Sequence, residues 1–191
     1  MGALVLSAVA LPLFLIVAIV IRSTGSPVLF SHTRIGLDRK PFRCYKFRSM
    51  VPDAEKRLQE LLETCPATLQ EWRTNHKIKN DPRVTPFGRF LRKSSLDELP
   101  QFWNVIKGDM SLVGPRPIVT DELERYGNKA HMYSSTKPGM TGLWQVLGRS
   151  NVTYSRRVSM DTLYVRQQSI GFDLWILVKT VAVVLRRAGA H

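Results

Sequence analysis

The stretch Ser94-Ser95-Leu96-Asp97-Glu98-Leu99-Pro100-Gln101 places two adjacent carboxylates directly after three basic residues, Arg89, Arg92 and Lys93. The protein carries 28 Lys and Arg against 15 Asp and Glu, which gives a formal net charge of +13. An acidic pair inside the most basic part of such a chain needs an explanation. Two interpretations of this pair are open.

The first interpretation is structural. Ser95 and Glu98 have the spacing of a capping box, in which both side chains satisfy free backbone N–H groups at a helix start, and the helix dipole favours Asp97 there. Pro100 conflicts with a helix that begins at Ser95, because it removes a helical hydrogen bond. If the helix begins nearer Pro100, Asp97 and Glu98 lie at its mouth, where flanking cations gather phosphates. Residue types alone favour the structural interpretation; the other motifs favour the second.

Length and composition set broad limits. A chain of 191 residues fits one domain with a real core. The basic excess indicates a polyanionic partner, and charge does not choose among nucleic acid, an acidic membrane surface and phosphorylated substrates. Cys44 and Cys65 provide neither a disulfide framework nor metal-ligand spacing, which suits a reducing compartment.

The N-terminal segment is apolar from residue 3 to residue 21 except for Ser7. As a straight helix it would reach roughly 28 Å, about the thickness of a bilayer core. Pro12 predicts a kink near its centre, so we favour a re-entrant or shallow insertion over a straight span, and both over a buried helix. Because Arg22 and a basic chain follow, the positive-inside tendency predicts a cytoplasmic location for the remainder.

Residues 27–30 and 42–47 alternate like short strands around a turn at 36–38, which predicts a β-hairpin. The hairpin is crowded with basic residues. They form either a solvated or headgroup-facing basic surface or a phosphate site, for which Lys46 and Arg48 are the candidates.

The remaining pattern is largely helical. After Pro100, four apolar residues predict a buried helical face, namely Phe102, Trp103, Val105 and Ile106. The segment 173–187 fits an interfacial helix and a packing helix equally well. Further helices are predicted over 52–72 with a break at Pro66, over 86–93 and over 121–126.

Two Gly- and Pro-containing segments follow the acidic pair. In Gly114-Pro115-Arg116-Pro117 the prolines hold Arg116 in an extended backbone, which favours a bidentate phosphate ligand. The glycines of 137–149 form either plain turns or a loop along a ligand. In the second case Gln145 and Arg149 make polar contacts with the ligand, and the flat Trp144 ring forms one side of its site.

Together the motifs resemble the bacterial polyprenyl-phosphate phosphoglycosyl transferases of the monotopic type. The sequences of several stretches most resemble those of the undecaprenyl-phosphate galactose phosphotransferase branch. The residues that carry the resemblance are 45–50, 79–83, 95–101, 104–111, 114–117 and 137–142.

The resemblance implies transfer of a sugar 1-phosphate from a UDP-sugar to undecaprenyl phosphate, with release of UMP, in polysaccharide or glycoconjugate assembly. It makes Asp97 a nucleophile that forms a covalent phosphosugar intermediate, and Glu98 a catalytic residue that binds or supports Mg²⁺. Three basic residues match positions that line the phosphate site in the family, namely Lys46, Arg92 and Arg116. Nucleotide-sugar contacts are expected from Arg48, Gln145 and Arg149.

The expected fold class is α+β, mainly helical, with a re-entrant membrane helix over 1–22, a small β-hairpin and amphipathic interfacial helices. Residues 23–191 form the expected catalytic domain on the cytoplasmic face of the bacterial inner membrane. The sequence departs from the family in lacking a basic stretch before the helix and in carrying Leu11-Pro12 where a Ser-Pro pair is usual. The galactose branch has extra N-terminal membrane helices, so we expect the catalytic part of a longer protein. A homodimer is compatible with the resemblance, and the residues do not fix the number of copies.

Two other classes compete. A membrane-tethered nucleic-acid-binding module fits the charge and the interleaved aromatic residues Tyr45, Phe47, Trp72 and Phe90, but it leaves the acidic pair without a role. A structural membrane protein would not need the proline-framed Arg116. The resemblance implies no nucleic-acid partner.

Overall fold

The computed structural model describes residues 2–75, 78, 80–148 and 152–185, and the side chains of 10–72, 78, 80–148 and 152–184. These residues are mainly helical, as predicted. The helices are α1 (Gly2–Ser23), α2 (Ala54–Thr64), α3 (Pro66–Asn75), α4 (Pro86–Ser94), α5 (Gln101–Lys107), α6 (Thr120–Glu124), α7 (Ala130–Ser134), α8 (Leu143–Leu147), α9 (Tyr154–Gln167) and α10 (Ile170–Leu185). The strands are β1 (Leu29–Ile35), β2 (Pro41–Phe47), β3 (Ser111–Val113) and β4 (Gly139–Thr141).

The predicted hairpin is confirmed and is longer than the sequence indicated. Strands β1 and β2 pair antiparallel, from Leu29 opposite Phe47 to Ile35 opposite Pro41. Their connection includes a short 3-10 turn in which Asp38 and Arg39 have positive φ angles of 54° and 60°. Aspartate tolerates this conformation better than most residues, so the chain can reverse there.

Helix α5 is fixed to β2 by one amide side chain. Asn104 is fully buried; its Nδ2 donates to the Arg43 carbonyl at 2.7 Å, and its Oδ1 accepts from the Tyr45 N–H at 3.1 Å. The apolar face predicted for this helix is wrong for Trp103 and Ile106, which are exposed. The helix turns Gln101 and Asn104 toward the protein, where Asn104 pairs with β2 and Gln101 bonds Glu98, and it turns Trp103 and Ile106 outward.

Helix α4 begins where the sequence predicted. Thr85 caps it by accepting from the Gly88 N–H at 2.9 Å, and Pro86 occupies the first turn, where no N–H is needed. The helix then lies directly on the chain that leaves β2. A Cβ atom at Gly88 would lie 1.9 Å from the Ser49 carbonyl oxygen, so only glycine allows this approach.

Helix α1 packs one face on the hairpin and on α4. Val17 and Ile21 share a buried cluster with Phe47 and Leu91. The helix continues through Pro12. Its outer face is apolar and exposed at Leu11, Leu13, Leu15, Ile16 and Ile19. Of the helices in the described part of the chain, none has the length and apolar character needed to cross a bilayer. The re-entrant geometry stays a prediction.

The C-terminal half adds a small parallel pair, β3 with β4, which was not predicted. Helix α9 was also not predicted. It packs its Tyr164 into a core with Val113, Leu143 and Ile176, between the parallel pair and α10. A third cluster joins the hairpin end to α7 and α9 through Ile35, Ile118, Tyr126, Tyr133 and Val158.

Replacing Gly88 by Ala tests the contact between α4 and the chain after β2. Alanine is the better helix former by about 1 kcal/mol, yet the clash with Ser49 should lower the free energy of unfolding by about 1–3 kcal/mol. Gly171 in α10 is the matched control, because a Cβ there meets nothing within 4 Å. Gly171→Ala should raise stability by up to about 1 kcal/mol in urea unfolding. Equal effects of the two variants would contradict the packing.

Candidate active site

The acidic pair lies in a short 3-10 turn, Leu96–Glu98, between α4 and α5. The capping-box interpretation is wrong: Ser95 has a left-handed backbone, with φ 58°, and ends α4, and its side chain makes no cap hydrogen bond. Helix α5 begins at Gln101, directly after Pro100. The alternative prediction is therefore correct, since Asp97 and Glu98 lie at the mouth of this helix.

Lys46 joins both carboxylates. Its Nζ lies 2.6 Å from Glu98 Oε1 and 3.9 Å from Asp97 Oδ2. Lys46 precedes the last residue of β2 and follows Tyr45, whose N–H is held by Asn104. The bond between β2 and α5 therefore places the ammonium group over the mouth of the helix that follows the acids.

Asp97 is largely buried, with 9% of its surface exposed. Burial raises its pKa to about 6, and the neighbouring negative charge of Glu98 adds to this rise. The positive charges of Lys46 and Arg92 act in the opposite direction. Near neutral pH the carboxylate is therefore ionised but poorly solvated, which is the state required of a nucleophile.

Glu98 behaves differently from its neighbour. Burial acts to raise its pKa, but Lys46, Arg116 and a side-chain hydrogen bond with Gln101 outweigh burial and hold the pKa of Glu98 below its ordinary value. Two adjacent acids thus have pKa values pushed in opposite directions, a pattern that marks separate chemical roles.

Arg92 lies on the Asp97 side of the site. Its Nε donates to Ser49 Oγ at 2.9 Å, and its charge lowers the pKa of Asp97. Behind it, Arg83 and Asp81 form a buried ion pair with an N–O distance of 2.7 Å. Burial lowers the pKa of Arg92 itself, while the charges of Asp97 and Asp81 raise it.

Arg116 lies on the Glu98 side, and its backbone is held on several sides. The carbonyl of the preceding Pro115 accepts from the Gly139 N–H at 2.8 Å, and the Arg116 carbonyl lies 3.3 Å from the Tyr133 hydroxyl. A Cβ at Gly114 would lie 2.6 Å from the Lys137 carbonyl oxygen, which explains the glycine. The predicted rigid framing of Arg116 is therefore present.

The structure thus brings together five of the predicted site residues. Three cations and two carboxylates leave one net positive charge in this cluster, which favours anionic ligands. The five residues are Lys46, Arg92, Asp97, Glu98 and Arg116. Gln101 and Ser49, which sequence analysis did not assign, contact members of the cluster. Neither residue type signals such a role by itself.

Two of the three residues predicted to contact the nucleotide sugar, Arg48 and Gln145, lie among the described residues. The Arg48 guanidinium carbon is 5.8 Å from the Phe30 ring centroid, and Nε is buried without a hydrogen-bond partner among the described residues. Gln145 in α8 donates weakly to the Met140 carbonyl, at 3.4 Å. Arg149 lies outside the described residues. The nucleotide roles of these three stay predictions.

The described residues contain no group of three or more His, Cys, Asp or Glu side chains that could hold a metal ion. Mg²⁺ is usually bound by one or two carboxylates together with substrate phosphates and water. The pair of Asp97 and Glu98 matches that smaller requirement. The lowered pKa of Glu98 keeps this carboxylate ionised, and its contacts are with Lys46 and Gln101.

The sequence matches the family described as bacterial sugar transferase over residues 1–187. It is 49% identical over 190 residues to the UDP-galactose-lipid carrier transferase of Erwinia amylovora, covering 100% of this chain and 40% of that protein. It is 53% identical over 183 residues to the undecaprenyl-phosphate galactose phosphotransferase of Salmonella typhimurium, covering 96% of this chain and 38% of that protein.

A third relative is similar in length. The chain is 47% identical over 189 residues to the exopolysaccharide production protein ExoY of Sinorhizobium fredii, covering 98% of the chain and 84% of that protein. By contrast, the chain spans about two fifths of the first two relatives.

Asp97→Asn should make the protein more stable at neutral pH. The pKa of Asp97 is raised from an ordinary 3.8 to about 6, so ionisation above pH 6 costs folding free energy, on the order of 1–3 kcal/mol. Asparagine avoids this cost. The gain in the free energy of unfolding should be complete above pH 6. It should vanish below pH 4, where Asp97 is neutral in both the folded and the unfolded wild type. Urea unfolding of wild type and variant at pH 4 and pH 8 measures this gain. A variant less stable than wild type at pH 8 would contradict the raised pKa of Asp97.

Proposed function

The chain belongs to the bacterial sugar transferase family, and from this premise we propose that it transfers a sugar 1-phosphate from a UDP-sugar to a polyprenyl phosphate. One observation carries the proposal: Lys46 contacts the two carboxylates at 2.6 Å and 3.9 Å, with Arg92 and Arg116 on either side. Such a cluster attracts a diphosphate and places a carboxylate against it.

In the first step, an Asp97 carboxylate oxygen attacks the phosphorus that carries the sugar. The bond between this phosphorus and the bridging oxygen breaks, and UMP leaves with that oxygen. A carboxylate approaches a diphosphate only where cations offset their repulsion. Lys46 and Arg116 supply positive charge at the diphosphate, and Arg92 keeps Asp97 ionised. The product is an aspartyl phosphosugar.

In the second step, a phosphate oxygen of the polyprenyl phosphate attacks the phosphorus of the aspartyl phosphosugar. The bond to Asp97 breaks, the carboxylate is regenerated, and the lipid carries a diphosphate-linked sugar. Both steps are phosphoryl transfers at one centre, so a single set of cations serves both. Donor and acceptor then occupy the site in turn, which predicts ping-pong kinetics.

Mg²⁺ would be held at this site by the Glu98 carboxylate, since oxygen ligands of this kind suit the ion. When bound, it supplies a Lewis acid that neutralises charge on the diphosphate. Glu98 itself holds Lys46 in place through the 2.6 Å contact. The same carboxylate therefore serves the metal and the ammonium group.

UDP-galactose is the donor that we propose, because two of the compared relatives carry galactose in their names. Undecaprenyl phosphate is the proposed acceptor, from the name of the Salmonella relative. The product would enter polysaccharide assembly. The nucleic-acid-binding alternative gains no support from the family.

The proposed location is the cytoplasmic face of the bacterial inner membrane, with residues 1–22 inserted and 23–191 catalytic. Support comes from the exposed apolar face of α1 and from Trp103 and Ile106 on α5, which follows the acidic pair directly. A lipid-facing surface next to the acids would let the acceptor phosphate reach Asp97 from the headgroup layer. Pro12 is the proposed cause of a re-entrant bend.

Asp97→Asn should abolish UMP release from UDP-galactose, because the amide oxygen cannot form the phosphosugar bond. The measurement is UMP formed with and without undecaprenyl phosphate; the wild type should release one equivalent without acceptor. Asp53→Asn is the matched control, an exposed carboxylate paired with Arg57 on α2 that should release UMP normally. Turnover by the Asp97 variant within tenfold of wild type would contradict the assignment of Asp97 as the nucleophile.

Glu98→Gln should weaken the response to Mg²⁺, since the ligand charge is lost while size and the bond to Gln101 can persist. The Mg²⁺ concentration for half-maximal UMP release should rise by about tenfold or more, as loss of a charged ligand costs at least about 1.4 kcal/mol. An unchanged titration would assign Glu98 to holding Lys46 alone.

A further inference from the structure

A polar recess lies between α6, α8 and α9 and shares Arg116 with the five-residue cluster of Lys46, Arg92, Asp97, Glu98 and Arg116. This cluster is called the phosphate cluster below. The recess has a volume of about 20 Å³, and its lining includes Arg116, Glu122, Tyr126, Trp144, Arg157 and Asp161. The Glu122 carboxylate pairs with Arg34 at 3.6 Å. A space of this size holds a single water-sized group. The catalytic scheme above uses none of the α9 residues.

Asp161 is an acid with an unused oxygen. The residue is 2% exposed; its Oδ2 accepts from the Tyr126 hydroxyl at 2.7 Å, while Oδ1 is buried without a partner among the described residues. Burial raises its pKa to about 7, against the opposing effects of the Tyr126 bond and of Arg157 and Arg116. A buried acceptor left unpaired costs free energy, so a ligand that donates a hydrogen bond would relieve this cost.

Arg157, one turn earlier on the same helix, contributes an unused donor. Its Nε is buried without a partner among the described residues. Its guanidinium lies 4.6 Å from the Trp144 ring centroid, and the guanidinium of Arg116 lies 5.9 Å from the same ring. The recess is therefore lined by one residue with a free acceptor and another with a free donor.

Arg116 links this recess to the phosphate cluster. It lines the recess, and its charge lowers the pKa of both Glu98 and Asp161. A donor whose diphosphate lies at Arg116 therefore carries its sugar and its ribose within reach of the recess.

We propose that this recess binds one hydroxyl group of the nucleotide-sugar donor, which donates to Asp161 Oδ1 and accepts from Arg157 Nε. The inference rests on the proposed function and adds specificity residues to it. A hydroxyl is both donor and acceptor at one atom, which matches the two free groups and the volume. A phosphate would be too large and would meet the Asp161 carboxylate, and a cation would meet Arg157 and Arg116.

The test pairs ligand changes with residue changes in the full chain. The ligands are UDP-galactose and its singly deoxygenated forms, with one hydroxyl missing from either the hexose or the ribose. The proteins are wild type, Asp161→Asn, which replaces the free acceptor by a donor, and Arg157→Lys, which keeps the charge and removes Nε. Kd from titration calorimetry and kcat/KM for UMP release are measured for each pair.

For wild type, one deoxygenated donor should bind about tenfold or more weakly than UDP-galactose, as expected for a lost hydrogen bond to a charged group. In both variants that difference should shrink by about threefold or more, because each variant removes one of the two partners of the hydroxyl. The position of the sensitive hydroxyl identifies whether hexose or ribose enters the recess. Arg157→Lys keeps the test valid if Asp161→Asn fails to fold.

Thr162→Val is the matched control. Thr162 is buried next to Asp161, and its hydroxyl donates only within α9, to the Val158 carbonyl at 2.7 Å. This variant should keep the wild-type discrimination. If each deoxygenated donor binds more weakly than UDP-galactose by the same factor in wild type and in the variants, the recess holds a structural water. The inference then fails while the transferase function stands. If no UDP-sugar yields UMP, both fail.

Discussion

The contact between β2 and α5 through Asn104 is the constraint on which the site depends. Asn104 satisfies the Arg43 carbonyl and the Tyr45 N–H, two partly shielded backbone groups, and its own buried amide is satisfied in return. Because it pairs with two positions of one strand, it fixes the register of the hairpin against the helix. Lys46 is the next residue of that strand, so its reach to Glu98 follows from a hydrogen bond that involves no catalytic group. A one-residue slip would turn Lys46 to the other face.

Local patterns predicted the parts of the molecule whose causes are local. Alternation and the turn near Gly36 predicted the hairpin, and Pro100 offered the alternative of a helix that begins near residue 100. Ser95 and Trp103 show where such patterns fail. The position of α4, which ends at Ser95, depends on the packing of Gly88 on Ser49. Trp103 is exposed because α5 buries Asn104 against residues about 60 positions earlier in the chain.

The fold groups five residues that the sequence motifs had named, although it places some of the surrounding elements differently from the prediction. Asp97, Glu98, Lys46, Arg92 and Arg116 belong to motifs that could be read in order along the chain, and the fold gathers them. Arg48 and Gln145 carry the same kinds of polar groups, and their contacts with Phe30 and near Gly142 leave their predicted nucleotide roles as predictions. Asp161 was missed because α9 was not predicted, although Tyr154, Val158 and Asp161 have helical spacing.

Strand β2 also ties the depth of the site to α1. Consecutive residues of a strand point to opposite faces, so Phe47 packs on Val17 and Ile21 while Lys46 faces the acidic pair. Leu96 and Leu99, which flank the acids, pack on the same cluster. The position of α1 is thereby transmitted to Asp97 through rigid apolar contacts on both sides of the carboxylate. If α1 lies at the bilayer surface, Asp97 is held at a fixed distance from the headgroup phosphates, as the proposed transfer to a lipid phosphate requires.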